Sequence, residues 1–117
     1  MSNLNGKRIL VLEDEALVAF ALEDMLIDLK CDVVGPVFDV AEGEALARVE
    51  VIDCAILDVR LKDGTCHSVA QVLDERRIPY LIASGLDDPD ALPNAKGSLG
   101  KPYRCSNVEA ELAKLFL

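Results

Sequence analysis

Residues 54–58 read Cys54-Ala55-Ile56-Leu57-Asp58, four apolar residues closed by a carboxylate. A short apolar run followed by the polar turn sequence of residues 59–64 is typical of a strand that is buried on both faces of a parallel sheet. We therefore expect the carboxylate of Asp58 to lie at the edge of a sheet where a strand ends, held rigidly by that strand.

The rest of the chain alternates between similar apolar runs and segments with helical periodicity. Strict alternation predicts an α/β fold with a parallel sheet and helices on both faces, because a parallel connection needs a crossover. Two prolines and a closing glycine limit the fourth helical segment to one or two turns. The predicted strands cover residues 7–12, 32–35, 53–57, 79–83 and 98–100, and the predicted helices cover residues 15–30, 41–50, 65–77, 89–95 and 107–117.

Two local motifs mark the predicted helix starts. Ser106 followed by Glu109 is a capping box for the last helix, and Asp39 followed by Glu42 has a similar spacing before the second. In the first helix, Phe20 and Ile27 project away from the apolar side, either as isolated surface residues or as a docking patch for a partner helix. The side predicted to face the sheet consists of Val18, Ala21, Leu22, Met25, Leu26 and Leu29.

Composition narrows the possible functions. With 117 residues, about half of them apolar, we expect one domain, residues 1–117, with no output domain. The net charge of -9 disfavours direct binding to nucleic acid and favours protein partners. We expect a cytoplasmic protein without membrane insertion, because no apolar stretch is long enough to span a bilayer and no signal segment is evident.

The four cysteines form no C-x-x-C pair, so we expect reduced thiols. A metal site that uses Cys66 and His67 is possible but disfavoured, because neighbouring side chains diverge. We expect His67 at a solvated helix start.

Polar side chains follow four of the predicted strands. In an open parallel sheet, ligands bind at the carboxyl ends of the strands where the strand order reverses. If the order is 2-1-3-4-5, that point brings together Glu13, Asp14 and Asp58. Three repelling carboxylates need a cation, and hard oxygen ligands suit Mg²⁺.

The same edge should also receive Ser84 and Lys101, which follow the fourth and fifth strands. A hydroxyl and an ammonium beside Mg²⁺ suit a phosphoryl group, and Asp58 is then the natural nucleophile, giving an aspartyl phosphate. Taken singly, each residue has another interpretation: Glu13-Asp14 as acidic residues at a helix start, and the others as turn residues. Agreement among four strand ends favours the joint site.

At this point the chain resembles the receiver domains of two-component response regulators, over essentially its full length. The fold of that family is a flavodoxin-like doubly wound sheet with strand order 2-1-3-4-5. The segments that carry the resemblance are Ile9-Leu10-Val11-Leu12-Glu13-Asp14-Glu15, Ala55-Ile56-Leu57-Asp58, Ala83-Ser84-Gly85 and Lys101-Pro102-Tyr103.

The resemblance implies that a sensor histidine kinase or phosphotransfer protein phosphorylates Asp58. It further implies that Mg²⁺ is held by Glu13, through water, and by Asp14, Asp58 and the backbone carbonyl of Arg60. The phosphoryl group would be held by Ser84, Lys101 and the backbone N–H of Gly85. Such a protein is not an enzyme beyond its own phosphotransfer and dephosphorylation, and it would signal through a downstream protein target.

One position departs from the family. Receivers commonly have Tyr or Phe three residues before the strand-five lysine, and this chain has Ser98. Residues 79–85 instead resemble the P-F-x-F-A-T-G pattern of a receiver subclass that lacks this aromatic switch and is typically paired with HWE-type kinases. Our hypothesis is that the signal runs through the short fourth helix and its loops.

Other functions remain open on the sequence. The chain could be a phosphate sink or a relay carrier, or a degenerate binding module of the same fold that is not phosphorylated. A small phosphatase-like hydrolase is a further possibility, although its nucleophile would usually follow the first strand rather than the third.

Overall fold

The computed structural model describes residues 3–83 and 92–116. The strands of its main sheet are β1 (Arg8–Leu12), β2 (Asp32–Val37), β3 (Cys54–Asp58), β6 (Tyr80–Ala83) and β7 (Ser98–Leu99). The short strands β4 (Arg60–Leu61) and β5 (Gly64–Thr65) form an antiparallel hairpin, and the helices are α1 (Ala16–Asp28), α2 (Val40–Val49), α3 (His67–Glu75) and α4 (Cys105–Leu115).

The main sheet is fully parallel, with the order β2-β1-β3-β6-β7. Once the hairpin is set aside, this is the predicted order 2-1-3-4-5, so the doubly wound, flavodoxin-like fold is confirmed. The order reverses between β1 and β3, which pair directly with each other. The crevice between their carboxyl ends is therefore the expected ligand position.

Side chains alternate along the strands and build a core on each face of the sheet. On one face, Leu10, Leu57 and Tyr80 pack with residues of α2 and α3. On the other, Val11 and Ile56 pack with residues of α1 and α4. The central strand β3 is buried along its whole length, as its apolar sequence predicted.

Strand β2 extends two residues beyond the predicted end at Gly35. Gly35 has a φ of +99°, and a Cβ atom there would lie 2.8 Å from the backbone nitrogen of Val37. This glycine allows an irregularity in the pairing, after which Val37 pairs with Leu12. Pro36 therefore does not end the strand, because the backbone adapts around it.

The turn after β3 is more ordered than the sequence indicated. Residues 59–64 were predicted as a polar turn, but Val59 and Leu61 are buried, and the segment contributes to the β4–β5 hairpin. Helix α3 consequently begins at His67 rather than near residue 65. As predicted, His67 is exposed, and its ring hydrogen-bonds to the Thr65 hydroxyl at 2.8 Å.

The two predicted caps have different outcomes. The side chain of Asp39 accepts a hydrogen bond from the Glu42 nitrogen at 2.8 Å, which confirms this residue as the cap of α2. The capping box at Ser106 is wrong, because α4 begins at Cys105 with Arg104 as its N-cap and no side-chain cap bond. The backbone nitrogens of Asn107 and Val108 both donate to the Arg104 carbonyl, so Ser106 already lies within the first helical turn.

The sheet-facing side of α1 was predicted correctly except at one residue. Ala21 is exposed and Ala19 is buried in its place, which shifts the buried stripe toward Leu22 and Leu26. Phe20 and Ile27 are exposed as expected. The Phe20 ring makes an edge contact with the Phe38 ring, their centroids 6.0 Å apart.

The four cysteines are free thiols, as expected. The predicted helix over residues 89–95 lies partly outside the described residues, and Leu92 to Gly97 contain a turn but no helix. Among the helices that the structure describes, none has both the length and the apolar character needed to cross a membrane.

Candidate functional site

The carboxyl ends of β1 and β3 bring the predicted acidic residues together. Leu12 pairs with Leu57, and the next residues along the two strands are Glu13 and Asp58. One carboxylate oxygen each from Glu13, Asp14 and Asp58 lies within 4.8 Å of the others. This cluster is the predicted group of three carboxylates.

Burial distinguishes the three acids, which the sequence alone did not. Glu13 has no exposed surface and Asp58 is 6% exposed, whereas Asp14 is partly open to solvent. Glu13 follows Ile9 and Val11 in the alternation of β1, so its side chain belongs to the face covered by α1 and α4. The alternation could therefore have predicted its deeper burial.

Backbone amides hold two of the carboxylates in place. The Glu15 nitrogen donates to Glu13 Oε2 at 3.1 Å. The Lys62 nitrogen, in the β4–β5 turn, donates to Asp14 Oδ2 at 2.8 Å. The hairpin missed by the sequence analysis therefore has a role at the site, because it fixes the outermost carboxylate.

Lys101 reaches the cluster from the loop that follows β7. Its Nζ lies 2.7 Å from Glu13 Oε1 and 3.1 Å from Asp58 Oδ2, and 28% of its side chain is exposed. Hydrogen bonds and charge attraction from these two carboxylates raise the pKa of Lys101 against the opposing effect of burial. The ammonium is thus positively charged and shared between the two buried acids.

The Lys101 ammonium does not by itself balance the negative charge of the two buried carboxylates. Burial raises the pKa of Asp58 to about 7, and the neighbouring Glu13 carboxylate adds to this, although Lys101 acts in the opposite direction. Asp58 therefore favours its protonated form below about pH 7 unless a further cation is bound. A second cation beside Asp58 would lower the pKa of its carboxyl group, because a nearby positive charge favours the ionised form.

Tyr103 is a member of the site to which the sequence analysis assigned no role. Its side chain is buried, and burial together with the Glu13 and Asp58 carboxylates raises the pKa of its hydroxyl. It follows Lys101 by two residues at the same sheet edge, a signal that could have drawn attention to it.

Three further predicted site residues come after β3 and β6 in the chain. Ser84 and Gly85 lie outside the described residues. Their chain neighbour Ala83 ends β6 and pairs directly with Asp58. Arg60 begins β4, two residues after Asp58, and its backbone carbonyl stays a predicted ligand.

The donor set fits Mg²⁺. Three carboxylates offer hard oxygen atoms from one small region, and two of them are buried against the Lys101 ammonium. Mg²⁺ is usually bound through one or two carboxylates and retains several waters, and the partly open Asp14 leaves a path to solvent.

Known proteins of the same fold carry a similar arrangement of elements. SdrG from Sphingomonas melonis Fr1 is 42% identical, with full coverage of both chains and a TM-score of 0.78. The receiver domain of the sensor histidine kinase PA1611 from Pseudomonas aeruginosa PAO1, solved with a magnesium ion in its active site cleft, is 22% identical at a TM-score of 0.82, over 94% of this chain and 97% of that domain. At that identity it shows the fold alone.

The transcriptional regulatory protein PdtaR from two strains of Mycobacterium tuberculosis is 28% identical over 109 residues, which are 87% of this chain. The match covers 53% of PdtaR, so the chain spans about half the length of these curated relatives. No family model matches the chain. From the fold and these relatives, the chain belongs to the receiver domains of response regulators.

Proposed function

We propose that this receiver accepts a phosphoryl group on Asp58 from a phosphorylated histidine of a sensor kinase or phosphotransfer protein, in a reaction that depends on Mg²⁺. The observation that carries the proposal is the joint position of Asp58, two further carboxylates and the Lys101 ammonium at the switch point of the sheet. A rigid carboxylate beside a cation site and an ammonium has what phosphoryl transfer requires: positioning and charge neutralisation.

Asp58 is the proposed nucleophile. A carboxylate oxygen attacks phosphorus, the bond from phosphorus to the donor nitrogen breaks, and the departing imidazole keeps the electron pair. The product is an aspartyl phosphate, and the reaction needs Asp58 in its ionised form. When held by Asp14, Asp58 and the Arg60 carbonyl, and by Glu13 through water, Mg²⁺ would favour that form and offset charge on the phosphoryl oxygens.

Lys101 has two proposed contacts, one before and one after phosphorylation. In the structure its ammonium lies between Glu13 and Asp58. An ammonium on a flexible stem can move a short distance to a phosphoryl oxygen without losing the nearby carboxylates. The family resemblance adds the Ser84 hydroxyl and the Gly85 N–H as further phosphoryl contacts.

The proposed output is a phosphorylation-dependent interaction with another protein. The resemblance of residues 79–85 to the P-F-x-F-A-T-G pattern supports a kinase of the HWE type as the phosphodonor partner. Ser98 is exposed and is not aromatic, so the coupling from Asp58 to the surface would run through other residues. No enzymatic activity on external substrates is proposed.

Intact-mass measurement with acetyl phosphate tests this function. The wild-type chain should gain the mass of one phosphoryl group with Mg²⁺ and should stay unmodified in EDTA. Asp58→Asn should stay unmodified in both conditions. Asp63→Asn is the matched control, because Asp63 is an exposed acid of the adjacent hairpin turn outside the carboxylate cluster, and it should behave as wild type. An unmodified wild-type chain with several phosphodonors, folded and with Mg²⁺, would instead support a degenerate binding module.

A further inference from the structure

The hydroxyl of Tyr103 is a buried polar atom without a well-formed hydrogen bond to any residue that the structure describes. The residue is 7% exposed, and its ring belongs to the core on the α1 and α4 face. A phenol in such a place normally has a hydrogen-bond partner, because burying the hydroxyl without one costs stability.

The atom best suited to be that partner is also buried. Glu13 Oε1 has the Lys101 ammonium at 2.7 Å, but it makes no hydrogen bond of regular geometry within the described part of the chain. The Glu13 carboxylate interacts with the Tyr103 hydroxyl both by charge and as a hydrogen-bonding neighbour. A donor without an acceptor thus lies beside an acceptor that has capacity for one more donor.

We propose that Tyr103 is a positioning residue for the metal site: its hydroxyl donates a hydrogen bond to Glu13 and orients that carboxylate toward Asp14 and Asp58. The inference rests on the proposed Mg²⁺ site and adds to it a residue that would not itself touch the ion. Groups that hydrogen-bond to a metal-binding carboxylate fix its direction, and their removal commonly weakens metal affinity by about 10- to 100-fold.

The Tyr103 ring has apolar neighbours, so a substitution to phenylalanine can remove the hydroxyl without disturbing them. Tyr103 lines a groove of about 220 Å³ beside α1, together with Leu17, Val18 and Met25. Tyr103→Phe keeps the ring and its apolar contacts, so the change removes only the hydroxyl, with its hydrogen bond to Glu13 and its weaker charge interaction with Asp58.

The test is a calorimetric Mg²⁺ titration of wild type, Tyr103→Phe and Tyr80→Phe. We expect Tyr103→Phe to weaken Mg²⁺ binding by about tenfold. Tyr80 is a matched control, because it is also buried but its hydroxyl donates a hydrogen bond to Asp74 at 3.3 Å. It begins β6, whereas Ala83, the partner of Asp58, ends that strand. Tyr80→Phe should leave Mg²⁺ affinity unchanged even if it lowers the unfolding temperature.

A second measurement does not depend on the folding of Tyr103→Phe. The chain has two tyrosines and no tryptophan. In Tyr80→Phe, all tyrosine fluorescence therefore comes from Tyr103. Mg²⁺ should then change the tyrosine emission. Equal Mg²⁺ affinity in wild type and Tyr103→Phe, or an emission that Mg²⁺ does not alter, would overturn the role of Tyr103. A wild-type chain that binds no Mg²⁺ would overturn the metal site itself, and this inference with it.

Discussion

At the scale of single residues, the proton on Asp58 links the chemistry of the site to its stability. Two buried carboxylates share the ammonium of Lys101, so the site without a metal favours a protonated Asp58. Ionising Asp58 in the folded protein without a bound cation therefore lowers the free energy of unfolding. Functional sites commonly retain groups of this kind, at some expense in stability.

This cost gives a pH-dependent prediction for Asp58→Asn in EDTA. The unfolded chain releases the Asp58 proton near its ordinary pKa of 3.8, while the folded chain keeps it until about pH 7. Between these values the folded state binds more protons, so the contribution of Asp58 to stability falls as pH rises. Replacing Asp58 removes that loss.

We expect Asp58→Asn to be more stable than wild type by about 1 to 3 kcal/mol at pH 8, and by much less at pH 4.5. The full shift would correspond to about 4 kcal/mol, which we reduce because Lys101 is partly exposed and water screens the site. Urea unfolding at the two pH values measures the difference. A gain that is equal at both values, or a loss at pH 8, would contradict the charge imbalance described for the site.

At the scale of secondary-structure elements, the two predicted caps differ in whether the local sequence motif determines where the helix begins. Asp39 caps α2 as its spacing predicted, because it is the last extended residue before the helix and its side chain accepts from the Glu42 nitrogen. For α4 the extended N-cap is Arg104, so Ser106 already lies inside the first helical turn. A capping motif therefore acts only where its first residue is also the last extended residue before the helix.

Alanine substitutions at the two sites should differ accordingly. Asp39→Ala removes the bond to the Glu42 nitrogen and should cost about 1 kcal/mol. Ser106→Ala lies inside the exposed first turn of α4 and should change the free energy of unfolding by less than about 0.5 kcal/mol. Chemical denaturation of both variants measures this. Equal losses would mean that Ser106 caps α4 after all.

At the scale of the whole molecule, the sequence was sufficient for the topology and for most of the site. Glu13, Asp14 and Lys101 follow strands and Asp58 ends one, and parallel strands have their carboxyl ends at one edge of the sheet, so the meeting of these four residues was predictable. The buried hydroxyl of Tyr103 was not predicted, because it depends on how α1 and α4 close over the sheet. The β4–β5 hairpin was missed because strands of two residues leave too little periodicity to detect.

The central claim is that this fold directs phosphoryl transfer to Asp58 and to no other acid of a chain that contains 21. The most direct measurement is borohydride reduction of the acetyl-phosphate-treated chain, followed by peptide mass mapping, because reduction converts an aspartyl phosphate to homoserine. We predict homoserine at position 58, only in samples that contained Mg²⁺. Homoserine at another position, at Asp14 for example, or its formation without Mg²⁺, would contradict the account.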